Sequence, residues 1–496
     1  MFKMERKLIV AFLCVYCAVT FKSLLSSPVR DSSSKDLSDK ELSLALDKYM
    51  SQLESYGFAG TVFIARNGEI IINKGYGLAD KKKGIPCTAD TVFDLGSITK
   101  QFTAAAIMKL EAEGRFSVKD PITKYFDKVP YDKKMITLHH LLTHTGGLLH
   151  GYGGDYEPAM RDETIRLILD TPLIFKPGEK WSYSNGGFSM LGAIIEKLTG
   201  KSYEEYLHES FFEPLGMNST GYKIPNWKDE EVAKYQNEEL KIEFESPLKK
   251  PGPYWHLYAN GGILSTTADL YKWHLALKGN SVLKETGKNE MFTPHFKTTR
   301  GEDSYYGYGW FVTKTPRGTT VIGHGGGSSE GVNCRFNRYV DEDVVLILLS
   351  HVAIDHLGAG LDIALPNLEK IIFGGEPTML PKHDQADPKM LDPYAGRYAA
   401  GSGAIFDLDI EDGRLKMTAR NWGAVWFLTY SGDAGVSDLP EKSKCFFQPR
   451  SRKEFVSFNF RASKARFLTF KTNKNGDVEA FVLQQSQREI LARRIN

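Results

Sequence analysis

Cysteine is scarce in this chain, which has five among its 496 residues. Cys14 and Cys17 fall in an N-terminal apolar run, so only Cys87, Cys334 and Cys445 would remain if that segment were removed. These remaining cysteines are too few and too widely spaced for a disulfide framework or a zinc site. We therefore expect a fold that does not depend on disulfides.

Neither sign of charge dominates, because 63 lysines and arginines face 61 aspartates and glutamates, a formal net charge of +2. No global field would attract nucleic acid or a membrane surface, and no nucleic-acid partner is expected. The hydrophobic fraction of 42% and the charged fraction of 25% are those of an ordinary soluble globular protein. The function must therefore lie in a local site.

Apart from its N-terminus, the chain has little apolar sequence in long runs. Lys3, Arg6 and Lys7 precede the apolar residues 8–21, a pattern typical of an export signal. The run is short for a membrane-spanning helix. Residues 1–27 are therefore predicted to be an export signal or an N-terminal anchor. This predicts an exported protein, periplasmic or extracellular, that contacts a membrane only through this segment if it is left uncleaved.

Residues 28–375 are predicted to form one mixed domain. Two β-rich runs flank Asn67-Gly68, residues 98–220 are mainly helical in pattern, and short β runs return near Tyr305. Strands at both ends with helices between them predict an antiparallel sheet that joins distant parts of the chain. Residues 221–250 are charged and irregular, and we expect them to be surface elaboration.

The C-terminal part of the chain differs in pattern. The proline-bearing residues 376–389 are predicted to be a linker. Beyond them, strand pairs flank Asp412-Gly413 and Asn475-Gly476, which are hairpin signals. No helical period intervenes convincingly, so residues 390–496 are predicted to form a small all-β barrel or sandwich.

A hydroxyl and an amine, Ser97 and Lys100, lie three residues apart at the edge of an apolar run. Apolar residues at helical spacing from Ala104 onward predict a helix that begins near Ser97, so both side chains share a face. The free N–H groups and partial positive charge of a helix start suit an oxygen that becomes anionic. The pair fits a nucleophile beside its proton acceptor. The alternative is a serine N-cap followed by a solvated lysine.

Tyr183 and Asn185 lie two residues apart just before a predicted helix. An extended backbone there would point both side chains the same way, into one cleft. The alternative is a buried aromatic residue beside a turn asparagine.

His324 precedes a run of glycines that includes Gly326 and Gly327, at the end of a predicted strand. Glycine at that place lets the backbone of a substrate approach closely. The alternative is a structural histidine.

Taken in this order, the Ser-x-x-Lys, Tyr-Ser-Asn and His-Gly-Gly elements resemble the serine β-lactamase and penicillin-binding-protein superfamily. The branch they resemble is the class C-like serine hydrolases, which include D,D-peptidases, D-aminopeptidases and esterases. The resemblance covers roughly residues 40–370, where ITLHHLLTHTGGL, FKPGEKWSYSN, FFEPLGMNSTG and YGYGWFV also agree. The final domain, opening with LDPYAGRY, resembles the small barrel appended to several such hydrolases.

The resemblance implies an α+β fold of the β-lactamase/transpeptidase type. In that fold an antiparallel sheet is flanked by helices, an all-helical lobe lies beside it, and the active site lies between them. It also implies an enzyme that hydrolyses small-molecule or peptide substrates through an acyl-enzyme, with no cofactor.

By position in the motifs, the resemblance implies that Ser97 is the nucleophile and that Lys100 and Tyr183 transfer protons. Asn185 would orient the substrate amide or Lys100. Free tyrosine and lysine have pKa values of about 10 and 10.4, so either needs a shift of roughly three units to act as a base near pH 7. Packing of Lys100 on Tyr183 would favour phenolate, while burial would favour neutral lysine. The two groups would titrate as a unit, so the sequence does not say which holds the proton.

The same resemblance places the backbone N–H groups of Ser97 and Gly327 in the oxyanion hole, with Gly326 and His324 at the third substrate-binding motif. Dedicated β-lactamases and many D,D-peptidases carry lysine where this chain has His324, and that lysine keeps a positive charge beside the substrate carboxylate. Histidine, with a pKa near 6.5, is mostly neutral at pH 7. We therefore expect weaker selection for a carboxylate.

This departure favours D-amino-acid peptides, amides or esters over β-lactams, and the substrate is expected to include cell-wall-derived peptides. The alternatives are a β-lactamase or D,D-carboxypeptidase, and a penicillin-recognising sensor or scaffold that does not turn over. The sequence leaves these open.

Two rival sites have some support in the sequence. Residues 327–331 match Gly-x-Ser-x-Gly with Ser329 central, but a nucleophile elbow needs a helix after the serine and the next residues predict a strand. His140 and His144, four residues apart, are candidate metal ligands, but no third ligand is evident nearby. No metal site is predicted.

Overall fold

The computed structural model describes residues 37–237, 242–250, 252–328, 330–352, 361–381, 388–411, 414–421, 424, 444–459, 464–485 and 488–495. The predicted export segment 1–27, part of the predicted linker 376–389 and Ser329 lie outside the described residues.

Up to residue 372, the described elements begin with a helix, continue through strands, a mainly helical stretch and further strands, and end with a helix. The helices are α1 (Asp39–Ser55), α2 (Lys100–Ala112), α3 (Leu138–Leu142), α4 (Arg161–Asp170), α5 (Asn185–Thr199), α6 (Tyr203–Leu207), α7 (Thr267–Lys278), α8 (Glu285–Phe292) and α9 (Leu361–Ile372). The strands are β1 (Gly60–Arg66), β2 (Glu69–Tyr76), β3 (Leu78–Asp80), β4 (Ile85–Pro86), β5 (Phe93–Asp94), β6 (Tyr235–Asn237), β7 (Ile242–Glu245), β8 (Leu264–Ser265), β9 (Phe296–Lys297), β10 (Ser304–Tyr306), β11 (Phe311–Lys314), β12 (Thr320–Gly327), β13 (Asn333–Tyr339) and β14 (Val344–Ser350).

A central antiparallel sheet joins the two ends of this domain. Its strand order is β2-β1-β14-β13-β12-β11-β10-β9. Gly60 at the start of β1 pairs with Ser350 at the end of β14, so residues far apart in sequence are neighbours in the sheet. Asn67 and Gly68, with φ values of 53° and 82°, form the tight turn between β1 and β2. The predicted hairpin and the predicted long-range sheet are both confirmed.

The sheet separates two apolar cores. On β14, Leu346 and Leu348 belong to the core that α1 and α9 cover, whereas Ile347 and Leu349 belong to the core that contains α2 and α5. All four side chains are fully buried, as the period of two along a strand buried on both faces requires. The sheet therefore lies between a helical layer on one side and the helical lobe on the other.

Helix α5 begins at Asn185, which the sequence predicts to lie just before it, and Thr199 is its last residue. Ser184 caps its N-terminus by accepting the Gly187 N–H at 3.3 Å, and Gly200 ends it with a φ of 72°. Ser184 itself is extended, so Tyr183 and Asn185 flank an extended residue at the helix start. The local backbone thus presents the two side chains at one end of α5.

The C-terminal strands close into a barrel, which excludes the sandwich alternative. They are β15 (Gly396–Ala400), β16 (Ile405–Glu411), β17 (Arg414–Ala419), β18 (Lys444–Pro449), β19 (Glu454–Asn459), β20 (Lys464–Thr472), β21 (Val478–Gln485) and β22 (Arg488–Ile495). The first and last strands pair, with Arg397 opposite Ile495. Buried aromatic and aliphatic side chains form a separate core in the barrel. The Gln448 amide donates to the Ser55 carbonyl at 3.2 Å, which joins the barrel to the end of α1.

Residues 221–250 correct one expectation. They were expected to be surface elaboration, yet Tyr235 is 1% exposed because its hydroxyl donates to the Asp94 carboxylate at 2.6 Å. A charged stretch therefore contributes a buried residue behind the strand that leads to Ser97. Across the described ranges, no helix combines the length and the apolar character needed to span a membrane.

Two leucines on α1 provide a matched test of this packing. Leu46 is fully buried and Leu44 is 62% exposed. We expect Leu46→Ala to lower the free energy of unfolding by about 2–5 kcal/mol, because it removes buried methyl groups and leaves a cavity. Leu44→Ala on the same helix should change it by less than about 0.5 kcal/mol. Urea unfolding of both variants measures the difference, and equal effects would contradict the assigned face of α1.

Candidate active site

Ser97 lies in a tight turn that runs directly into α2. Gly96–Thr99 form a 3₁₀ turn, and α2 begins at Lys100. The sequence predicts a helix start near Ser97, three residues earlier. Gly96 has a φ of 49° and donates its N–H to the Asp94 carboxylate at 2.8 Å. Ser97 is half-buried at this helix start, where unpaired N–H groups and the helix dipole favour negative charge.

Lys100 is fully buried and its amine reaches three oxygens. Nζ lies 2.8 Å from Asn185 Oδ1, 2.7 Å from the Asn260 carbonyl oxygen and 3.2 Å from Ser97 Oγ. Burial holds the pKa of the amine well below its usual range, and the carboxylate of Asp155 opposes this shift.

An uncharged amine has two N–H donors and one lone pair. Asn185 Oδ1 and the Asn260 carbonyl oxygen can only accept, so they take the two N–H groups of Lys100. The lone pair is then left for the third neighbour, the Ser97 hydroxyl. In this arrangement the lone pair of an uncharged Lys100 amine faces the Ser97 hydroxyl.

Tyr183 stands beside this pair as a neutral phenol. Its ring lies under the Lys100 amine, with Nζ 4.8 Å from the ring centroid. Burial raises the pKa of Tyr183, and this effect outweighs the lowering by Ser97 and by Arg300. The hydroxyl has no hydrogen-bond partner of normal geometry, although Ser97 is close enough to influence its pKa. The sequence left open which of the two groups holds the proton, and burial favours the neutral form of both.

His324 is enclosed on β12 and is 3% exposed. Its Nδ1 lies 2.6 Å from the Gly325 carbonyl oxygen, which can only accept, so Nδ1 carries the proton. The Tyr306 hydroxyl then donates to Nε2 at 3.0 Å. Burial, the largest cause, lowers the pKa of His324 well below its usual range. The imidazole is neutral, and both of its nitrogens are occupied by protein groups.

The glycines after His324 allow backbone contact between β12 and the turn that carries Ser97. A Cβ atom on Gly326 would lie 1.9 Å from the Leu95 carbonyl oxygen. A Cβ atom on Gly96 would lie 2.9 Å from the Gly327 nitrogen. The Gly327 N–H therefore lies beside the Gly96–Thr99 turn that carries Ser97, which we call the nucleophile turn. An oxyanion hole built from the Ser97 and Gly327 N–H groups requires this proximity.

Several residues of the site gave no usable signal in the sequence. Asn260 binds Lys100 through its backbone carbonyl. The Tyr306 hydroxyl binds His324. The guanidinium of the exposed Arg300 lies 5.6 Å from the ring centroid of Tyr183 and 4.6 Å from that of Phe311. Arg300 and Phe311 also border a groove of about 520 Å³ that adjoins the site without containing Ser97.

The two candidate metal ligands have other partners. His144 Nδ1 accepts the Ser184 N–H at 3.1 Å, and its ring packs 4.3 Å from that of Tyr183. His140 Nδ1 accepts the Thr137 N–H at 3.2 Å. Within the part of the chain that is described, no group of three or more histidine, cysteine, aspartate or glutamate side chains is placed to hold a metal ion. His144 therefore supports Tyr183 and the start of α5.

The sequence matches the family model described as Beta-lactamase over residues 46–361, which is more than half of the chain. It is 28% identical over 417 residues to penicillin-binding protein 4* of Bacillus subtilis (strain 168), covering 79% of this chain and 88% of that protein. It is 27% identical over 381 residues to esterase EstB of Burkholderia gladioli, covering 68% of this chain and 97% of that protein.

Among solved structures, the octameric penicillin-binding protein homologue from Pyrococcus abyssi has the same fold. The TM-score is 0.61 at 24% identity, and the likeness covers 90% of this chain and 99% of that chain. The fold class predicted from the sequence, including the C-terminal barrel, is confirmed.

Lys100→Arg tests the assignment of the base. Arginine stays protonated, so we expect acylation of Ser97 by p-nitrophenyl butyrate to slow by at least about 100-fold. The half-buried Lys109 on the same helix is the matched control, and Lys109→Arg should keep the wild-type rate. In the wild-type protein the rate should rise with pH through the lowered pKa of Lys100, because only the neutral amine accepts a proton. A rate independent of Lys100 would exclude it as the base.

Gly326→Ala tests the backbone contact. The added Cβ would clash with the Leu95 carbonyl and push β12 from the nucleophile turn, so we expect activity to fall about 100-fold, as for loss of one oxyanion donor. Gly401→Ala is the control, since a Cβ there meets no atom within 4 Å. Steady-state hydrolysis of p-nitrophenyl butyrate measures both, and full activity of Gly326→Ala would contradict the oxyanion-hole geometry.

Proposed function

The chain belongs to the β-lactamase family, and we propose that it is a serine hydrolase that acts through a Ser97 acyl-enzyme on D-amino-acid-containing peptides, amides or small esters. The observation that carries this proposal is the Lys100 amine, buried and 3.2 Å from Ser97 Oγ, with its two donors engaged elsewhere. A solvated lysine behind a serine cap would have neither the burial nor these partners.

In the proposed reaction, the Ser97 hydroxyl gives its proton to the Lys100 amine as its oxygen attacks the substrate carbonyl. The resulting oxyanion accepts hydrogen bonds from the N–H groups of Ser97 and Gly327. The bond to the leaving nitrogen or oxygen then breaks, and that atom takes a proton from Tyr183, which Lys100 restores. Water hydrolyses the acyl-enzyme by the same transfers in reverse.

The state of His324 supports the choice of substrate. A neutral imidazole with both nitrogens bonded to protein offers no positive charge to a substrate carboxylate. Some substrates have no carboxylate at this point, such as amino-acid amides, esters and peptides cleaved at their amino terminus. Their binding does not need a positive charge on His324. This supports D-aminopeptidase or esterase activity over β-lactam hydrolysis.

One observation favours a second candidate, a D,D-carboxypeptidase or β-lactamase. The guanidinium of Arg300 stands over Tyr183 and Phe311, so a substrate carboxylate that reached past the catalytic tyrosine would meet a cation there. Preference for carboxylate-bearing substrates would support this candidate. Labelling by a fluorescent penicillin without release of product would instead support a sensor.

We also propose that the protein is exported and acts in the periplasm or outside the cell, on substrates that include peptides derived from the cell wall. The basic residues Lys3, Arg6 and Lys7 before the apolar residues 8–21 support export.

A panel of substrates with matched serine variants tests the function. The panel contains p-nitrophenyl butyrate, D-alanine p-nitroanilide, a D-Ala-D-Ala peptide and nitrocefin. We expect turnover of the ester and the D-amino-acid anilide at kcat/KM values at least about 100-fold above that for nitrocefin. Ser97→Ala should lose more than about 10⁴-fold, because the nucleophile is gone.

Ser329→Ala is the matched control for the rival motif and should retain turnover. Activity that survives in Ser97→Ala and disappears in Ser329→Ala would overturn the proposal. Nitrocefin as the best substrate would transfer it to the β-lactamase candidate.

A further inference from the structure

A hydrogen-bond chain runs behind the nucleophile turn. The Asp94 carboxylate accepts the Gly96 N–H at 2.8 Å on one oxygen and the Tyr235 hydroxyl at 2.6 Å on the other. The hydroxyl of Tyr156 lies 3.0 Å from that of Tyr235. The chain therefore links Tyr156, in the loop before α4, to the amide next to Ser97.

This chain satisfies a need that the turn itself leaves open. Leu95, at the cap position of the 3₁₀ turn, has no side-chain hydrogen bond to offer. Its own N–H is paired with the Ile263 carbonyl at 2.9 Å, whereas the Gly96 N–H would be an unpaired donor at a helix start. Asp94 supplies the acceptor, and Gly96 is thereby held at its left-handed φ of 49°.

The far end of the chain lies next to Asp155 in the sequence. Tyr156 follows Asp155, whose carboxylate is close enough to the Lys100 amine to oppose the lowering of its pKa. The loop that carries Tyr156 therefore has one residue that influences Lys100 and another that is linked to the Gly96 amide through Tyr235 and Asp94.

We propose that Asp94 is a positioning residue, which with Tyr235 and Tyr156 holds the Gly96 amide so that the Ser97 hydroxyl and N–H stay in their reactive orientation. Asp94 touches neither substrate nor the reacting atoms. The inference rests on the proposed function, because its kinetic effect is measured through Ser97.

The arrangement needs Asp94 in its ionised form. The Asp94 carboxylate accepts one hydrogen bond on each oxygen. A proton on the oxygen that faces Tyr235 would make that oxygen a donor, so the Tyr235 hydroxyl would have to accept from it and donate to Tyr156 instead. Burial raises the pKa of Asp94 to about 6, the bonds from Tyr235 and Gly96 oppose this, and the carboxylates of Asp155 and Glu330 add to it.

The remaining titratable groups that face Asp94 keep their protons in this range. They are Tyr156 and Tyr235, whose pKa values are raised, and Cys334, whose thiol donates to the Asp94 carbonyl at 3.3 Å and has a pKa raised to about 12. Since Asp94 binds a proton as the pH falls through about 6, the Gly96 N–H then donates to a neutral and weaker acceptor, and we expect the reactive orientation to be held less firmly on the acid side.

The kinetic test is the pH dependence of kcat and KM for p-nitrophenyl butyrate between about pH 5 and 8, a range that includes the raised pKa of Asp94. Tyr235→Phe removes one donor to the carboxylate, so the part of the acid limb due to Asp94 should move up by about one pH unit, with kcat at pH 8 within about threefold of wild type. Asp94→Asn imitates the protonated form, and we expect kcat at pH 7 to fall about 10-fold with KM within about twofold.

Tyr398→Phe is the matched control, because it removes a buried tyrosine hydroxyl in the barrel that donates to the Tyr394 carbonyl. It should leave the profile unchanged. A Tyr235→Phe profile that coincides with that of the wild type, or full activity of Asp94→Asn, would overturn the proposal.

A second readout does not depend on turnover. In Ser97→Ala protein with isotope-labelled glycine, the Gly96 amide resonance should titrate with a midpoint near pH 6, and the titration should vanish when Asp94→Asn is added. Absence of this titration would overturn the positioning role. Intact titration in a protein that hydrolyses no substrate would overturn only the proposed function.

Discussion

The candidate site depends on keeping one amine out of water. A charged ammonium at the position of Lys100 would pay a desolvation penalty of several kcal/mol, so burial leaves the side chain neutral and basic. Its two oxygen partners come from different parts of the chain, since Asn185 begins α5 and Asn260 precedes β8. Helix α2 must therefore pack against both before the amine has anything to bind. The Ser-x-x-Lys motif becomes a base only in the assembled helical lobe, and the chemistry of Ser97 follows from the packing of this core.

A second constraint is the backbone contact between the sheet and the nucleophile turn. Gly326 pairs with Cys334 in the middle of the sheet, and its missing side chain leaves room for the Leu95 carbonyl. On the other side of the turn, Asp94 fixes the Gly96 amide. The turn is thus held between β12 and a buried carboxylate. The position of Ser97 therefore depends on the strand register of the central sheet to which β12 belongs. Rigid elements on both sides are what a preorganised oxyanion site requires.

Much of the fold could be predicted from the sequence, because strand and helix periods are local and Asn-Gly turns mark hairpins. The closure of the barrel could not, since alternation within strands does not say which strands meet. Within the site, the motif residues could be predicted because the family that the sequence resembles carries those side chain types at that spacing. Asn260 was not found, because it contributes a carbonyl that every residue has, and Tyr235 was hidden in a charged segment. The sequence also left open which of Lys100 and Tyr183 holds the proton, because burial can be read only from the assembled fold, where it favours the neutral form of both.

Burial disfavours the charged form of each of three titratable groups around Ser97. It lowers the pKa of Lys100 and of His324, and it raises that of Asp94 to about 6. Near neutral pH the histidine is uncharged and the aspartate is mostly ionised, and burial favours the uncharged form of the lysine. Acidification would protonate the proposed base, put a cation at the third motif and weaken the bond that the Gly96 amide donates to Asp94. The desolvation that lowers the pKa of Lys100 therefore also leaves His324 without a positive charge. The proposed preference for uncharged substrate groups and the proposed action of Lys100 as a base have the same physical origin.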